Sequence, residues 1–398
     1  MRKRVHIQDL QLGMYIVKLD GSWLKHPFWK SAFLLDKAED LKTIKQSAIT
    51  HVWIDTTKGK DIETAATITI APSTTTTTAT TTKNTKSSLT DELEAARETL
   101  ALAKQATIEM FNDARMGNSI SLDETGPLVD EISQSVARNP AAMLSLTRMK
   151  NKDDYTYLHS VAVCALMISL GKQLGYKGDM HALGMAGLLH DVGKMAIPDE
   201  VLNKPGKLTD EEFILIQSHP LRGWEILKES YGVDDIALDV CLHHHERVDG
   251  RGYPDRISGN ELSLVARMGA VCDVYDAITS DRCYKKGWEP ADALKKMAEW
   301  KDGHFDEAVF NAFVKTVGIY PTGTLVKLKS GRLGVVTEQS EKTLLKPKIK
   351  IFFSSSSNAP IPKKIIDLTR SQETIDSIEE PETWGFDRQH IMNLLIEA

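Results

Sequence analysis

Apolar residues recur along this chain with more than one rhythm. Near the start, "GMYIVKL" and "HVWIDTT" have strand composition and "DKAEDLKTIKQS" between them has helical spacing. Residues 1–70 therefore predict a small α/β unit. The rhythm stops in "APSTTTTTATTTKNTKSS", residues 71–88, a threonine-rich run with nothing to bury. Such a run predicts a disordered linker and a domain boundary. Helical spacing then dominates from 89 to 318. Its first stretch, 89–149, predicts a helical connector, with Ser88 or Thr90 as cap and acids in the first turn. In "KPGKLTDEEFILIQSH", Thr209 and Glu212 fit a capping box ahead of Phe213 and Ile216. After "GIYPTG" the period falls to two in "TLVKLKSGRLGVVTEQ" and "PKIKIFF", so 321–398 predicts a small β-rich region and tail. The fold class is mainly α, with a small N-terminal α/β domain and a small C-terminal β appendix.

The longest apolar run, "VAVCALMISL" at 161–170, is too short to span a bilayer and predicts a core helix. No apolar stretch follows the basic start "MRKRVHIQDL", so no signal peptide is expected. Cys164, Cys241, Cys272 and Cys283 are widely spaced and form no CxxC pair. Reduced thiols in the cytoplasm fit better than a disulfide framework. The net charge of −6 argues against binding a nucleic-acid polymer, though not against a small anion, because local cations set the field inside a pocket.

Within the helical region, His159, His190, Asp191, His219, His244, His245 and Asp273 all stand beside apolar chain. One such residue alone reads as a satisfied core histidine or acid. Seven in one region are harder to bury without a common counter-charge. Imidazole and carboxylate without thiolate suit iron or manganese, with zinc, nickel and cobalt also compatible. Seven donors are too many for one divalent ion and fit two, and Asp191, with two oxygens, is the natural bridge. Two ions about 3.5–4 Å apart would clamp a phosphate and acidify a water between them. Lys194 reads in two ways: a helix-end lysine satisfying the last carbonyls, or a cation aimed at a phosphate oxygen.

The segments "HDVGKMAIPDEVLNKPGKLTDEE", "SHPLRGWEIL", "HHHERVDGRGYP" and "ARMGAVCDVYDAITSDRCYKKG" resemble the HD superfamily of metal-dependent phosphohydrolases, and within it the HD-GYP branch. Gly252, Tyr253 and Pro254 are the GYP tripeptide. The likeness covers 150–320 and implies a helical HD-type catalytic domain that hydrolyses cyclic di-GMP. It implies one metal on His159, His190, Asp191 and Asp273, and a second on Asp191, His219, His244 and His245. Catalysis would rest on Asp191 and Lys194, with a hydroxide bridging the two metals attacking phosphorus. Lys194, Arg282, Lys285 and Tyr253 would contact substrate. Some relatives hold a third metal on a glutamate four residues before the first histidine. Here that position is Tyr155, so two metals and linear pGpG are expected, rather than complete conversion to GMP. The rival readings are a phosphodiesterase of 3′,3′-cyclic GMP-AMP and a catalytically weak sensor or scaffold. The resemblance also admits contact with a diguanylate cyclase through the GYP loop, and the 89–116 helix admits a homodimer as well as packing on its own domain. "IQDLQLGMYIVKLDGSW" resembles the small domain that often precedes HD-GYP domains, and that likeness implies a regulatory role or dimer contacts for residues 1–70. His243 reads as a packing or surface residue and His304 as structural. Glu246 reads as a partner to a ligand imidazole or a solvated helix-end acid. Asp276 and Asp281 read as orienting helix ends or Arg282.

Overall fold

The computed structural model describes residues 2–19, 33–46, 51–60, 89–120, 122, 125–148, 155–281, 286–340 and 342–396. The threonine-rich 71–88 run, Arg282 and Lys285 lie outside these residues. The chain divides into two compact units, Met1–Thr81 and Thr82–Ala398.

In the first unit, β1 (Arg2–His6), β2 (Tyr15–Leu19), β3 (Phe33–Leu34) and β4 (His51–Asp55) form an antiparallel sheet in the order β1-β4-β2-β3. Helix α1 (Ala38–Gln46) completes it. Val5, Ile16, Val52 and Ile54 from the sheet and Ile44 from α1 are buried in one small core, as the alternation of the strands requires.

The second unit is built on α5 (Tyr155–Leu174). Every residue from Leu158 to Gly171 is buried, so the helix has no solvent face and is the centre of the core. Each fully buried Leu, Ile, Val or Met there is worth about 1.5–3 kcal/mol of transfer energy. It is the one described helix long and apolar enough to cross a membrane, and most of it is inside the fold. Around it pack α4 (Pro140–Thr147), α6 (Met180–Leu189), α11 (Leu264–Thr279) and α13 (Glu307–Val317). Helices α2 (Leu89–Arg115) and α3 (Gly126–Arg138) join the same core through Leu93, Phe111, Val129 and Ile132. Helix α2 thus spends most of its apolar stripe on its own unit. Arg138 holds the buried Glu92 carboxylate with two hydrogen bonds, at 2.7 and 2.9 Å, and locks α3 to α2.

The remaining helices are α7 (Asp199–Leu202), α8 (Asp210–Gln217), α9 (His219–Lys228), α10 (Asp235–His243) and α12 (Pro290–His304). The Thr209–Glu212 capping box is present at the start of α8. Strands β5 (Leu325–Leu328), β6 (Arg332–Glu338), β7 (Lys348–Ser354), β8 (Ala359–Asp367) and β9 (Ile375–Ile378) form an antiparallel sheet in the order β8-β7-β6-β5-β9. Its two faces are both used. Val326, Leu328, Ile349 and Ile351 make a small core of their own. Leu325, Leu333, Val335 and Phe352 turn the other way and join the helical core, as do Ile391 and Leu394 of α14 (Arg388–Ile396).

Candidate metal centre

Five helices and one 3₁₀ turn deliver the site. His159 lies in the second turn of α5, and His190 ends α6 as its C-cap. Asp191 follows and leads into a 3₁₀ turn, Val192–Ala196, that carries Lys194. His219 opens α9, His244 caps α10 with His245 next to it, and Asp273 projects from α11. Gly193 lets the 3₁₀ turn lie against α9. A Cβ there would sit 1.9 Å from the His219 carbonyl oxygen and 2.4 Å from the Gly223 nitrogen. The turn that carries Asp191 is thereby pressed onto the helix that carries His219.

His159, His190, Asp191, His219 and His244 are at most 1% exposed, and Asp273 is also buried. Two groups of donors result, His159 with His190 and Asp191, and His219 with His244 and His245. In the first, His159 Nε2 and His190 Nε2 face each other at 3.3 Å. In the second, His219 Nε2 and His244 Nε2 face each other at 3.2 Å. Asp191 stands between the groups with one oxygen toward each. Its Oδ2 is 3.3 Å from His159 Nε2 and 3.4 Å from His190 Nε2, and its Oδ1 is 3.3 Å from His219 Nε2. Asp273 Oδ1 reaches His159 Nε2 at 3.0 Å, and its Oδ2 lies 3.7 Å from His245 Nδ1.

The tautomers follow from the outer ring nitrogens. His190 Nδ1 donates to the Gly187 carbonyl at 2.8 Å, His219 Nδ1 to Ile216 at 2.7 Å, and His244 Nδ1 to Val240 and Cys241 at 3.0 Å. A carbonyl only accepts, so each Nδ1 carries the proton and each Nε2 turns a lone pair inward when the ring is neutral. His159 Nδ1 donates to Asp276 Oδ2 at 2.6 Å. Asp276, expected from the sequence to orient a helix end or Arg282, therefore orients a site imidazole. The signal was its position one turn after Asp273 on the same helix face.

Lone pairs 3.2–3.3 Å apart repel unless a positive charge lies between them. The two groups differ in how protons could supply it. Burial works against charged His190, but Asp191 and Asp273 lift it to about 10. His159 is likewise raised against its burial by Asp191, Asp273 and Asp276. Burial, with His245, His190 and His219 alongside, pushes His244 well below the ordinary imidazole value. Burial also takes His245 down to about 3. Asp191 and Asp273 lie well below the usual carboxylate range despite their burial, Asp191 through Lys194 and His190, Asp273 through His159 and His190. Among the described residues, buried Asp191 Oδ1 has no hydrogen-bond partner. An inward set of imidazole lone pairs around an unpartnered carboxylate oxygen fits a divalent cation on each side of Asp191.

Lys194 Nζ lies 2.5 Å from Asp191 Oδ2, as an ion pair rather than a cap on helix-end carbonyls. Tyr253 stacks on His245 with ring centroids 4.7 Å apart. Burial, with Asp273 and Asp191 nearby, raises its phenol pKa, so it stays protonated. The loop behind it is held by Glu246, whose Oε1 accepts the backbone N–H groups of Asp255 and Arg256, both at 2.7 Å. Glu246 is thus a loop clasp, neither an imidazole partner nor a solvated acid. Gly252 permits this, since a Cβ there would meet the Glu246 Cα at 2.4 Å. His243 bridges Asp239 and Asp255 at 2.6 and 3.3 Å, outside the donor cluster. Asp281 accepts the Gly287 N–H at 2.8 Å, and His304 stacks on Phe305.

Two sequence families match the chain. One is described as an HD domain and covers residues 132–309, and the other as a domain of unknown function (DUF3391) and covers residues 2–125. The cyclic di-GMP phosphodiesterase PA4108 of Pseudomonas aeruginosa is 52% identical over 390 residues, 97% of this chain and 94% of the relative. The 3′3′-cGAMP-specific phosphodiesterase 1 of Vibrio cholerae is 35% identical over 44% of this chain and 41% of its own length. Among solved structures, Bd1817, an HDG"Y"P protein from Bdellovibrio bacteriovorus, aligns over 79% of this chain and 99% of its own, at 17% identity and a TM-score of 0.47. With a half-identical relative matched almost end to end, the chain belongs to the HD-GYP family of HD-domain proteins.

Proposed function

We propose that this protein hydrolyses cyclic di-GMP to linear pGpG, using two divalent cations held by His159, His190, Asp191 and Asp273 on one side and Asp191, His219, His244 and His245 on the other. The observation that carries the reading is the pair of facing imidazoles on either side of a carboxylate whose buried Oδ1 has no partner. Bound divalent cations would polarise a phosphodiester and acidify a water at neutral pH. The donor set favours iron or manganese.

The chain's own residues do the rest. Backbone carbonyls and Asp276 hold the outer ring protons, so each inward nitrogen is the one that would give its lone pair to a cation, without the ring turning. Burial of the cluster keeps bulk water out and strengthens each charge interaction. The Lys194 side chain is 18% exposed, where its ammonium can meet a phosphate oxygen that gains charge in the transition state. Tyr155 stacks on His159 with centroids 5.5 Å apart and brings no carboxylate to that edge of the cluster, which supports arrest at the linear product. Cyclic di-GMP is favoured over cyclic GMP-AMP because the relative matched over nearly its whole length is named for the former.

The test is Asp191→Asn, purified without oxygen, with metal counted and products followed by chromatography on both cyclic dinucleotides. Metal content should drop and turnover should fall by about 1000-fold. Near-normal turnover in the substituted, metal-poor protein overturns the reading.

A further inference from the structure

Helix α8 buries none of its eight residues. Phe213, Ile214 and Leu215 follow one another along it and are 51%, 66% and 38% exposed. A run of large apolar side chains left bare to water marks a surface that something else covers.

The charges along this helix are sorted. Asp210, Glu211, Ile214, Gln217 and Ser218 recur at spacings of three and four, so they share one face. Asp210 and Glu211, at its start, are exposed and form no ion pair among the described residues. The nearby Lys204 is taken by Glu212 at 2.7 Å. At the other end, Ile214, Gln217 and Ser218 line a groove together with Arg251 and Arg256, and no carboxylate lines it. Both guanidinium groups are on exposed residues and, among the described residues, in no ion pair. Asp249, whose Oδ1 accepts the Arg251 backbone N–H at 3.1 Å, is already held by Arg247. The face therefore runs from acid through apolar to base over about 12 Å of helix.

Such a face is its own complement under a two-fold rotation that reverses the helix. We propose that α8 is the interface to a second copy of this chain. The two helices pack antiparallel across Ile214 and Phe213. Asp210 and Glu211 of one copy meet the partner's Arg251 and Arg256, and the same contacts form in reverse. A chain at −6 repels its own copies at long range, so association needs local pairing of opposite charge. An anionic lipid surface would suit the arginines and oppose the exposed acids on the same face, which favours the second copy. The patch is small for a specific interface, so the dimer dissociates on the order of 10–100 µM.

Sedimentation velocity on the full chain, from about 1 to 300 µM, reads the dissociation constant. Three variants are compared with the unaltered protein: Ile214→Asp, Asp210→Lys with Glu211→Lys, and Arg251→Glu with Arg256→Glu. Each should weaken self-association by at least about tenfold. The two doubly substituted chains are then mixed in equal amounts. A mixed pair has opposite charges at both contacts, so the mixture should recover a dimer within about threefold of the original strength. Misfolded chains could not give that recovery. A monomer throughout the range, a dimer that all three variants leave unchanged, or a mixture that stays monomeric overturns the interface. Monomer that instead binds vesicles of phosphatidylglycerol and phosphatidylcholine also overturns it and assigns the face to lipid. No substrate or cation enters the experiment, so the reading of the metal centre stands or falls separately.

Discussion

Asp276 touches His159 and no other site imidazole, yet it governs what that ring can do. A carboxylate accepting from Nδ1–H makes Nε2 a better donor toward a cation and fixes the ring plane. Asp276→Ala should weaken metal binding about 10–100-fold, read by metal titration, with turnover recovered at high manganese. Loss that added manganese does not restore would mean that the residue only supports the fold. The side chains of the cluster itself were legible, because an imidazole or carboxylate beside apolar chain is conspicuous. Their partners were not. An acid at i+3 reads equally as a helix-surface residue, and Glu246 became a loop clasp only through the backbone of residues 255 and 256. Sequence spacing shows which residues share a face, and the fold decides what that face meets.

The 3₁₀ turn Val192–Ala196 joins the two donor groups, because it carries Asp191's flank and packs on α9 beneath His219. Gly193→Ala tests this. The added methyl would contact main chain, which cannot swing aside as a side chain could. Denaturant unfolding should show a loss of about 3 kcal/mol, and both cations should bind more weakly rather than one. Unchanged stability would mean that the turn and α9 can separate freely. Several elements were readable in advance: the apolar run of α5, the capping box of α8, and the alternation of β5 to β7. For α2 the sequence left two readings open, packing on its own domain and pairing with a second copy, and α3 and α4 were read only as part of a connector. Residues 89–149 read as a connector, but their apolar stripes complete the core around α5. An amphipathic stripe announces that it will be buried and says nothing of the surface that buries it.

Taken whole, the protein should respond to pH differently with and without cations. In the cation-free protein His190 is raised to about 10, above the ordinary 6.5, so its contribution is fully present below 6.5 and is lost as pH climbs toward 10. His245 is depressed to about 3, so its neutral form supports the fold above 6.5, and that support is lost as pH falls toward 3. Chelated protein should therefore be most stable near pH 6–7, and manganese should flatten the alkaline side by replacing the proton on His190. Calorimetry across pH, with and without chelator, checks this. A chelated protein that grows more stable from pH 7 to 9 would contradict it. The calorimeter must be read with the division of the chain in mind. Among the described residues, the nine buried apolar side chains of Met1–Thr81 form a core that shares no member with that of Thr82–Ala398. Two melting events are then the expectation, and a single Tm would blend them. Only the transition of the larger unit is a thermometer for the cations; the other serves as an internal reference in the same scan.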